Sequence, residues 1–522
     1  MSGLCVRKTN STKRVCLLAF CSLTSLFVVL ATILTTLPTA TAFSATSISI
    51  NKGPITGGTE VTIYGDFGIK KIEFEQISNG GLYTCALNSA GQAYCWGENW
   101  NGSLGDNSTT NRTTPVAVDT TGVLAGKTLT QISSGNGHTC ALDSAGQVYC
   151  WGYNTFGQIG DGTTIDRYVP LAVDFTGTSL SGVVTQIITG YNHTCVIDSI
   201  GQAYCWGYND AGQLGTDSYG YDFVPMPVDN TGVLAGKTIT QMSASGSHTC
   251  ALDSAGQVYC WGNNWYGQLG HGPGYGSHVP MAVDMTGVLA GKTITQISAN
   301  SSNTCALDSL GRVYCWGDNS YGQLGDNSTT GSDVPVAVDI TGALAGKTIV
   351  QIASGGDYTC ALDSAGQVYC WGSNDFGQLG NNSTTDNTTP VVVGVPGLLA
   401  GKTLTQISAH FLHACAVDSD NNAYCWGGND SGQLGNNTIT DSATPVAVYN
   451  YVPHPSAFTV MFDTAPCVGI RFSSDNNIIC TTTAHLAGLV DVVVSDGVNS
   501  STLAEAFEYM DIAVPNTGFK RQ

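Results

Sequence analysis

The sequence returns to itself every 55 residues, seven times over, without an insertion or a deletion. One cysteine recurs at Cys85, Cys140, Cys195, Cys250, Cys305, Cys360 and Cys415. A second, always followed by tryptophan, recurs at Cys95, Cys150, Cys205, Cys260, Cys315, Cys370 and Cys425. A proline closes each unit, from Pro115 to Pro445 in the same step. A period of this length means stacked copies of one supersecondary unit. The units also compare with one another. Positions held constant serve the scaffold, and positions that vary are where a function can sit.

In the second unit Thr128–Ser133 alternates as a half-buried strand does, and His138–Asp143, Gln147–Trp151 and Val169–Val173 read as three more. Four short strands joined by Gly-rich turns make a β-propeller blade, and seven units make a seven-bladed β-propeller of 55-residue repeats. Pairing Asp143 with Gln147 leaves Ser144-Ala145-Gly146 as the loop, with glycine at the left-handed position. The last unit has Asn421 there, the residue that tolerates this geometry best after glycine. The same register sets Leu142 opposite Val148 and Cys140 opposite Cys150. Cross-strand disulfides follow: Cys85–Cys95, Cys140–Cys150, Cys195–Cys205, Cys250–Cys260, Cys305–Cys315, Cys360–Cys370 and Cys415–Cys425. This cysteine spacing is not that of a zinc site.

The Cys-Trp-Gly, Asn-x-x-Gly-Gln-Leu-Gly and His-Thr-Cys-Ala-Leu elements, with Trp96, Trp151, Trp206, Trp261, Trp316, Trp371 and Trp426 in phase, resemble the regulator of chromosome condensation repeat family. The resemblance implies a seven-bladed propeller over residues 71–450. That family includes a nuclear guanine-nucleotide exchange factor for a small GTPase, which also docks on chromatin. It also includes a secreted bacterial propeller that inhibits β-lactamases through aromatic-rich loops. The paired cysteines depart from the nuclear branch. Flanking the repeats, Gly57-Gly-Thr-Glu-Val-Thr-Ile63 and Ala487-Gly-Leu-Val-Asp-Val-Val-Val494 resemble the two halves of an IPT/TIG immunoglobulin-like domain. Neither half has the strands for a sandwich. The expectation is one discontinuous β-sandwich, residues 44–70 plus 455–510, with the propeller inserted and Cys467 paired with Cys480. The fold class is all-β.

Residues 1–42 read as a signal peptide: Arg7, Lys8, Lys13 and Arg14, an apolar run from Val15 to Leu37, and Ala40-Thr41-Ala42 as a cleavage site. Left uncleaved, this segment would be the membrane anchor. Four of the 18 Lys and Arg lie there and none of the 38 Asp and Glu, so the remainder carries 14 basic residues and a formal charge of −24. Such a chain does not bind nucleic acid, which needs neutralised phosphates. Of 19 cysteines, Cys5, Cys16 and Cys21 leave with the signal, and sixteen remain to pair in an oxidising compartment. In the tail 511–522, Val514-Pro-Asn-Thr-Gly518 resembles a wall-sorting signal without its apolar segment.

No phosphate loop, metalloprotease helix or nucleophile elbow occurs, and no cofactor is implied. His138, His193, His248 and His413 share one repeat position and are expected to make a repeated strand-end hydrogen bond. Asp106-Asn-Ser-Thr109 and its kin read as turns, with calcium as the alternative. What varies is aromatic. Trp100, Tyr153, Tyr208 and Trp265 flank a constant Asn; Tyr191 and Phe411, beside His410, precede the His-Thr-Cys element; Tyr219, Tyr221 and Tyr275 precede the closing Pro. Phe156, Tyr266, Tyr321 and Phe376 are expected to pack between blades. Large aromatics that the fold does not dictate are what a binding face uses. The reading is a secreted or cell-surface monomer, not an enzyme, that recognises an extracellular protein or glycan; the alternatives are an exchange-factor-like regulator of a small GTPase and a secreted enzyme inhibitor, both implied by the resemblance.

Overall fold

In the second repeat every residue of His138–Asp143 is buried, which a strand achieves only with packing on both faces. The computed structural model shows how. It describes residues 44–49, 52–54, 56–67, 70–178, 180–394, 397–452, 458–472, 477–495 and 500–510; the expected signal peptide and the tail lie outside them. The chain divides into two compact units, residues 71–451 and the residues on either side of them.

In the first unit each repeat folds into one four-stranded antiparallel sheet in chain order, and seven such sheets close a propeller. In the second repeat the strands are Leu129–Ser134, His138–Asp143, Val148–Gly152 and Arg167–Ala172. The first and third are displaced by one residue from the sequence reading, and the fourth starts two residues earlier. First strands of adjacent repeats pack on one another and line the axis; fourth strands form the rim. Pro170 sits in the rim strand, where no neighbour needs its missing N–H.

Local chemistry sets the central hairpin. Cys140 faces Cys150 and Leu142 faces Val148. Asp143 N donates to Gln147 O at 3.0 Å, and the Asp143 carboxylate accepts the Ala145 and Gln147 N–H groups at 2.9 Å. Gly146 has φ +81° and Asn421 φ +58°, the left-handed geometry the turn requires. All seven intrablade disulfides are formed, with Cα atoms 4.0–4.1 Å apart.

Neighbouring blades are joined by side chains that reach one period along the chain. Gln131 Oε1 accepts the Ile187 N–H of the next blade at 2.8 Å. The same bond repeats from Gln76, Gln186, Gln241, Gln296 and Gln351, and Gln406 closes the circle on Ile77 at 2.9 Å. Further out, each indole donates to one backbone carbonyl of the preceding blade, as Trp206 Nε1 does to Gln158 O at 2.9 Å. The seven tryptophans that follow the second cysteine of each repeat are 0 % exposed, so each of these indole N–H groups needs that acceptor. Each blade is one repeat, so the ring closes without a shared strand. Trp96 and Thr84 donate to Gln433 O, and Ile72 N donates to Asn450 O.

The second unit is an immunoglobulin-like sandwich built from both ends of the chain. Strand Glu60–Asp66 pairs with Ser44–Ile48 and with Ile478–Thr482. Ala465–Phe472 pairs at its start with Thr459–Phe462 and beyond that with Ile478–Thr482, so it passes from one sheet to the other. Val61, Ile63, Phe462, Val492, Val494 and Phe507 fill the core, and the Cys467–Cys480 disulfide is formed.

Candidate recognition face

Two loops of every blade open at the same end of the propeller. One joins the first strand to the second (135–137 in the second repeat) and the other joins the third to the fourth (153–166). The longer loop is held by its constant Asn. Asn154 Oδ1 accepts the Ile159 N–H at 2.9 Å, and Asn154 Nδ2 donates to Asp161, to Thr163 O and to Ile165 O at 3.1–3.2 Å. Asn99 and Asn319 do the same within the Asp-Asn-Ser-Thr loops. The oxygens that a calcium ion would need therefore converge on an amide NH2. No cluster of metal-ligating side chains occurs among the described residues. Gly160, at φ +75°, lies where a Cβ would meet Trp206 Nε1 at 2.6 Å, which fixes the loop against the next blade.

The recurring histidines belong to the scaffold. Thr194 Oγ1 spends its proton on Gln158 O at 2.8 Å, so the His138 Nε2 that meets the same hydroxyl at 2.9 Å must carry a hydrogen. His193, His248 and His413 repeat the contact with Thr249, Thr304 and Thr84. Nδ1 of each ring is buried without a partner. Burial therefore holds all four neutral, at a pKa of about 3 for His138, His248 and His413 and about 4 for His193. Tyr358, which faces Ala414, and Tyr83, which faces Thr139, stand at the same repeat position instead of histidine, and their hydroxyls donate to His413 O and His138 O at 2.5 Å.

The variable aromatics all lie in these two loops. Trp100, Trp265 and Tyr275 are 71, 85 and 97 % exposed. Tyr219 and Tyr221 are exposed too, with the Tyr219 hydroxyl 3.1 Å from His278 Nδ1. Tyr153 and Tyr208 are half-buried and meet edge-on across Phe156, at ring separations of 5.9 and 5.0 Å. Tyr221 joins them, 5.3 Å from both Phe156 and Tyr208. Tyr191 lies over the axis. Its hydroxyl bonds to Ser301 two blades on, and its ring meets His410 of the seventh blade at 5.3 Å. Beneath it is a polar cavity of about 190 Å³ lined by Ser78, Ser243, Ser298 and Ser408 among others. Phe411, at φ +37°, turns a tight reversal between the paired residues His410 and His413. Trp100, Tyr153 and Phe411 come together around a second cavity, whereas Trp265, Tyr219 and Tyr275 stand apart from it. Phe156 and Phe376 are half-buried, but Tyr266 and Tyr321 are 51 and 42 % exposed and do not pack between blades.

Sequence reasoning passed over Glu98. Its carboxylate shares the second cavity with Trp100 and Tyr153, and burial pushes its pKa above the usual carboxylate value. The signal was available: the same position elsewhere is Tyr153, Tyr208, Asn263, Asp318, Ser373 and Gly428, and no other glutamate stands in these long loops.

Fold and face together define a seven-bladed propeller with a variable aromatic end. The RCC1-like domain family matches residues 59–287 and 229–459, and the IPT/TIG domain matches residues 454–509. The chain belongs to the RCC1-like domain family. It is 32 % identical over 371 residues to the ultraviolet-B receptor UVR8 of Arabidopsis thaliana, covering 71 % of this chain and 80 % of that one. It is 31 % identical over 361 residues to the human E3 ubiquitin-protein ligase HERC2, covering 68 % of this chain but 7 % of that one. Among solved structures, Prp20p of Saccharomyces cerevisiae superposes with a TM-score of 0.60 at 19 % identity, over 78 % of this chain and 94 % of that one.

Proposed function

We propose that this protein is an exported, non-catalytic scaffold that recognises a protein or glycan at a cell surface through the loop end of its propeller. The observation that carries the reading is the exposure of Trp100, Trp265 and Tyr275 at one end, on positions that the inter-blade bonds and the loop-fixing asparagines do not use. Exposed aromatics bury much area on binding at little entropic cost. Export is supported by the basic-then-apolar N-terminal segment and by eight disulfides, which persist only in oxidising compartments. Family membership does not choose the partner, because a photoreceptor and a ubiquitin ligase share this propeller.

The test is capture from surface extracts with the oxidised protein as bait, beside a variant carrying Trp100→Ala, Tyr153→Ala, Tyr208→Ala and Trp265→Ala. A surface partner retained by the first and lost by the second is the expected result. A partner held equally by both, or found only in cytosolic or nuclear fractions, refutes the reading.

A further inference from the structure

One blade junction holds the only glutamate of the long loops. Between the first and second repeats, Leu82, Glu98, Trp100, Asn136 and Tyr153, with Phe411 from the seventh, line a cavity of about 320 Å³. Trp100, Tyr153 and Phe411 stand among neutral polar residues in its walls, and its one carboxylate is Glu98. Glu98 is half-buried, and no hydrogen bond or ion pair reaches its carboxylate among the described residues. A carboxylate partly withdrawn from water without a partner is costly, and an incoming cation relieves that cost.

The described residues of the propeller supply no free lysine or arginine at this end. The long loop carries an Asp or Glu in six of seven repeats and no Lys or Arg in any. The two nearest arginines, Arg112 and Arg167, open rim strands and are bonded to Asp106 and Asp161. The propeller's lysines all precede first strands, at the opposite end, where Lys127, Lys237, Lys347 and Lys402 pair with Asp143, Asp253, Asp363 and Asp418. Asp357, in another short loop of the aromatic end, is likewise held above its usual pKa by burial, with Asp318 nearby adding like charge.

We propose that the Glu98 cavity receives the side chain of a lysine or arginine from a protein partner, its cation against the Glu98 carboxylate and the faces of Trp100 and Tyr153. An aromatic face attracts a cation most strongly where water is excluded, and a neighbouring carboxylate adds a charge-assisted hydrogen bond. The volume suits one long side chain rather than a fold-sized ligand. A neutral sugar would stack on the same rings and donate hydroxyls to the carboxylate, but it brings no positive charge to offset it. This inference rests on the recognition reading above and specifies the chemistry of its partner.

The test measures saturation transfer from the oxidised full chain to Ac-Gly-Arg-Gly-NH2, Ac-Gly-Lys-Gly-NH2, the citrulline counterpart and a neutral disaccharide. The variants are Glu98→Gln, Trp100→Ala and Leu310→Ala; far-ultraviolet circular dichroism and a thiol assay verify that each remains folded and oxidised. The cationic peptides are expected to bind. Citrulline in place of arginine, or Glu98→Gln, should weaken binding about tenfold, the weight of one charge-assisted hydrogen bond. Trp100→Ala should weaken it too, whereas Leu310→Ala, an exposed hairpin-turn residue at the opposite end, should leave it unchanged. Equal binding of the citrulline peptide, indifference to Glu98→Gln, or preference for the disaccharide overturns the proposal. If it falls while the four-aromatic variant still loses its surface partner, recognition by this face stands and only its cationic chemistry is wrong.

Discussion

Thr194→Val isolates what one hydroxyl does between two blades. Thr194 is fully buried and makes two hydrogen bonds: it donates to Gln158 O at 2.8 Å and receives His138 Nε2–H at 2.9 Å. Valine keeps the shape and removes both. Gln158 O loses little, because Trp206 Nε1 still donates to it at 2.9 Å. His138 loses its acceptor, and moving the proton to Nδ1 does not help, since that atom has no partner either. An orphaned buried donor costs about 1–3 kcal/mol and a lost neutral bond about 1 more, so the expected destabilisation is about 2–4 kcal/mol. Thr359→Val is the internal control. Its hydroxyl shares Gln323 O with Trp371, and no histidine rests on it because Asn303 fills that position. Its expected cost is about 1 kcal/mol or less. Urea unfolding of the two oxidised variants, compared by midpoint at equal slope, separates them. Destabilisations within about 0.5 kcal/mol of each other would refute the argument that the histidine–threonine bond, rather than the buried hydroxyl itself, carries the cost.

Two further outcomes follow from the same interior. His138, His193, His248 and His413 are neutral in the native state down to about pH 3–4, whereas the unfolded chain protonates them near its ordinary value of 6.5. The unfolded state then binds more protons, so these groups leave stability unchanged above about pH 6.5 and reduce it progressively as pH falls from there toward 3–4; urea midpoints that hold steady from pH 7 to pH 4.5 would contradict this. Replacing Cys140 and Cys150 together by alanine opens a disulfide with a sequence separation of 10, and loop entropy predicts a loss of about 2–3 kcal/mol. The same denaturation assay reads it, and an unshifted midpoint would mean that the unfolded chain gains no freedom there.

What was legible in the sequence was local. The 55-residue period shows on comparing one repeat with the next, and the Asp143–Gln147 turn and the facing of Cys140 and Cys150 depend on residues within one hairpin, so the pattern of side chains states them directly. The inter-blade chemistry was not legible. Gln131 reads as one polar residue in an alternating strand, and its partner Ile187 is 56 residues away. Only stacking of the blades brings the two together. The misplacing of Tyr266 and Tyr321 has the same origin. Phe156 is covered because the next blade offers Tyr208 and Tyr221. The corresponding neighbours of Tyr266 are Asp318 and Gly331, and those of Tyr321 are Ser373 and Asp386, so neither ring finds an apolar cover. Glu98 was missed because its solvation, rather than its spacing, distinguishes it.

The division between constant and variable positions has a physical cause. The shape of each long loop is set by the constant Asn, whose amide gathers the loop carbonyls, and by the carbonyl that takes the next blade's indole N–H. Apart from one carboxylate further along the loop, the partners in both devices are main-chain atoms, so neither depends on what stands at the residues beside that Asn. Glu98 and Trp100 flank Asn99 and take no part in its bonds to Leu104, Ser108 and Thr110. A substitution at such a position changes the face and leaves the scaffold's hydrogen bonds intact, which keeps its folding cost within the ordinary range for surface residues. Charge obeys the same separation. The lysines sit where the hairpin aspartates need them, at the end whose residues the repeat holds nearly constant, and the aromatic end keeps its carboxylates without a neutralising lysine. A propeller arranged this way can acquire or lose a partner by exchanging one or two loop residues, and Glu98, beside a tryptophan whose counterpart is Trp265 in the fourth repeat, is the one glutamate in its long loops.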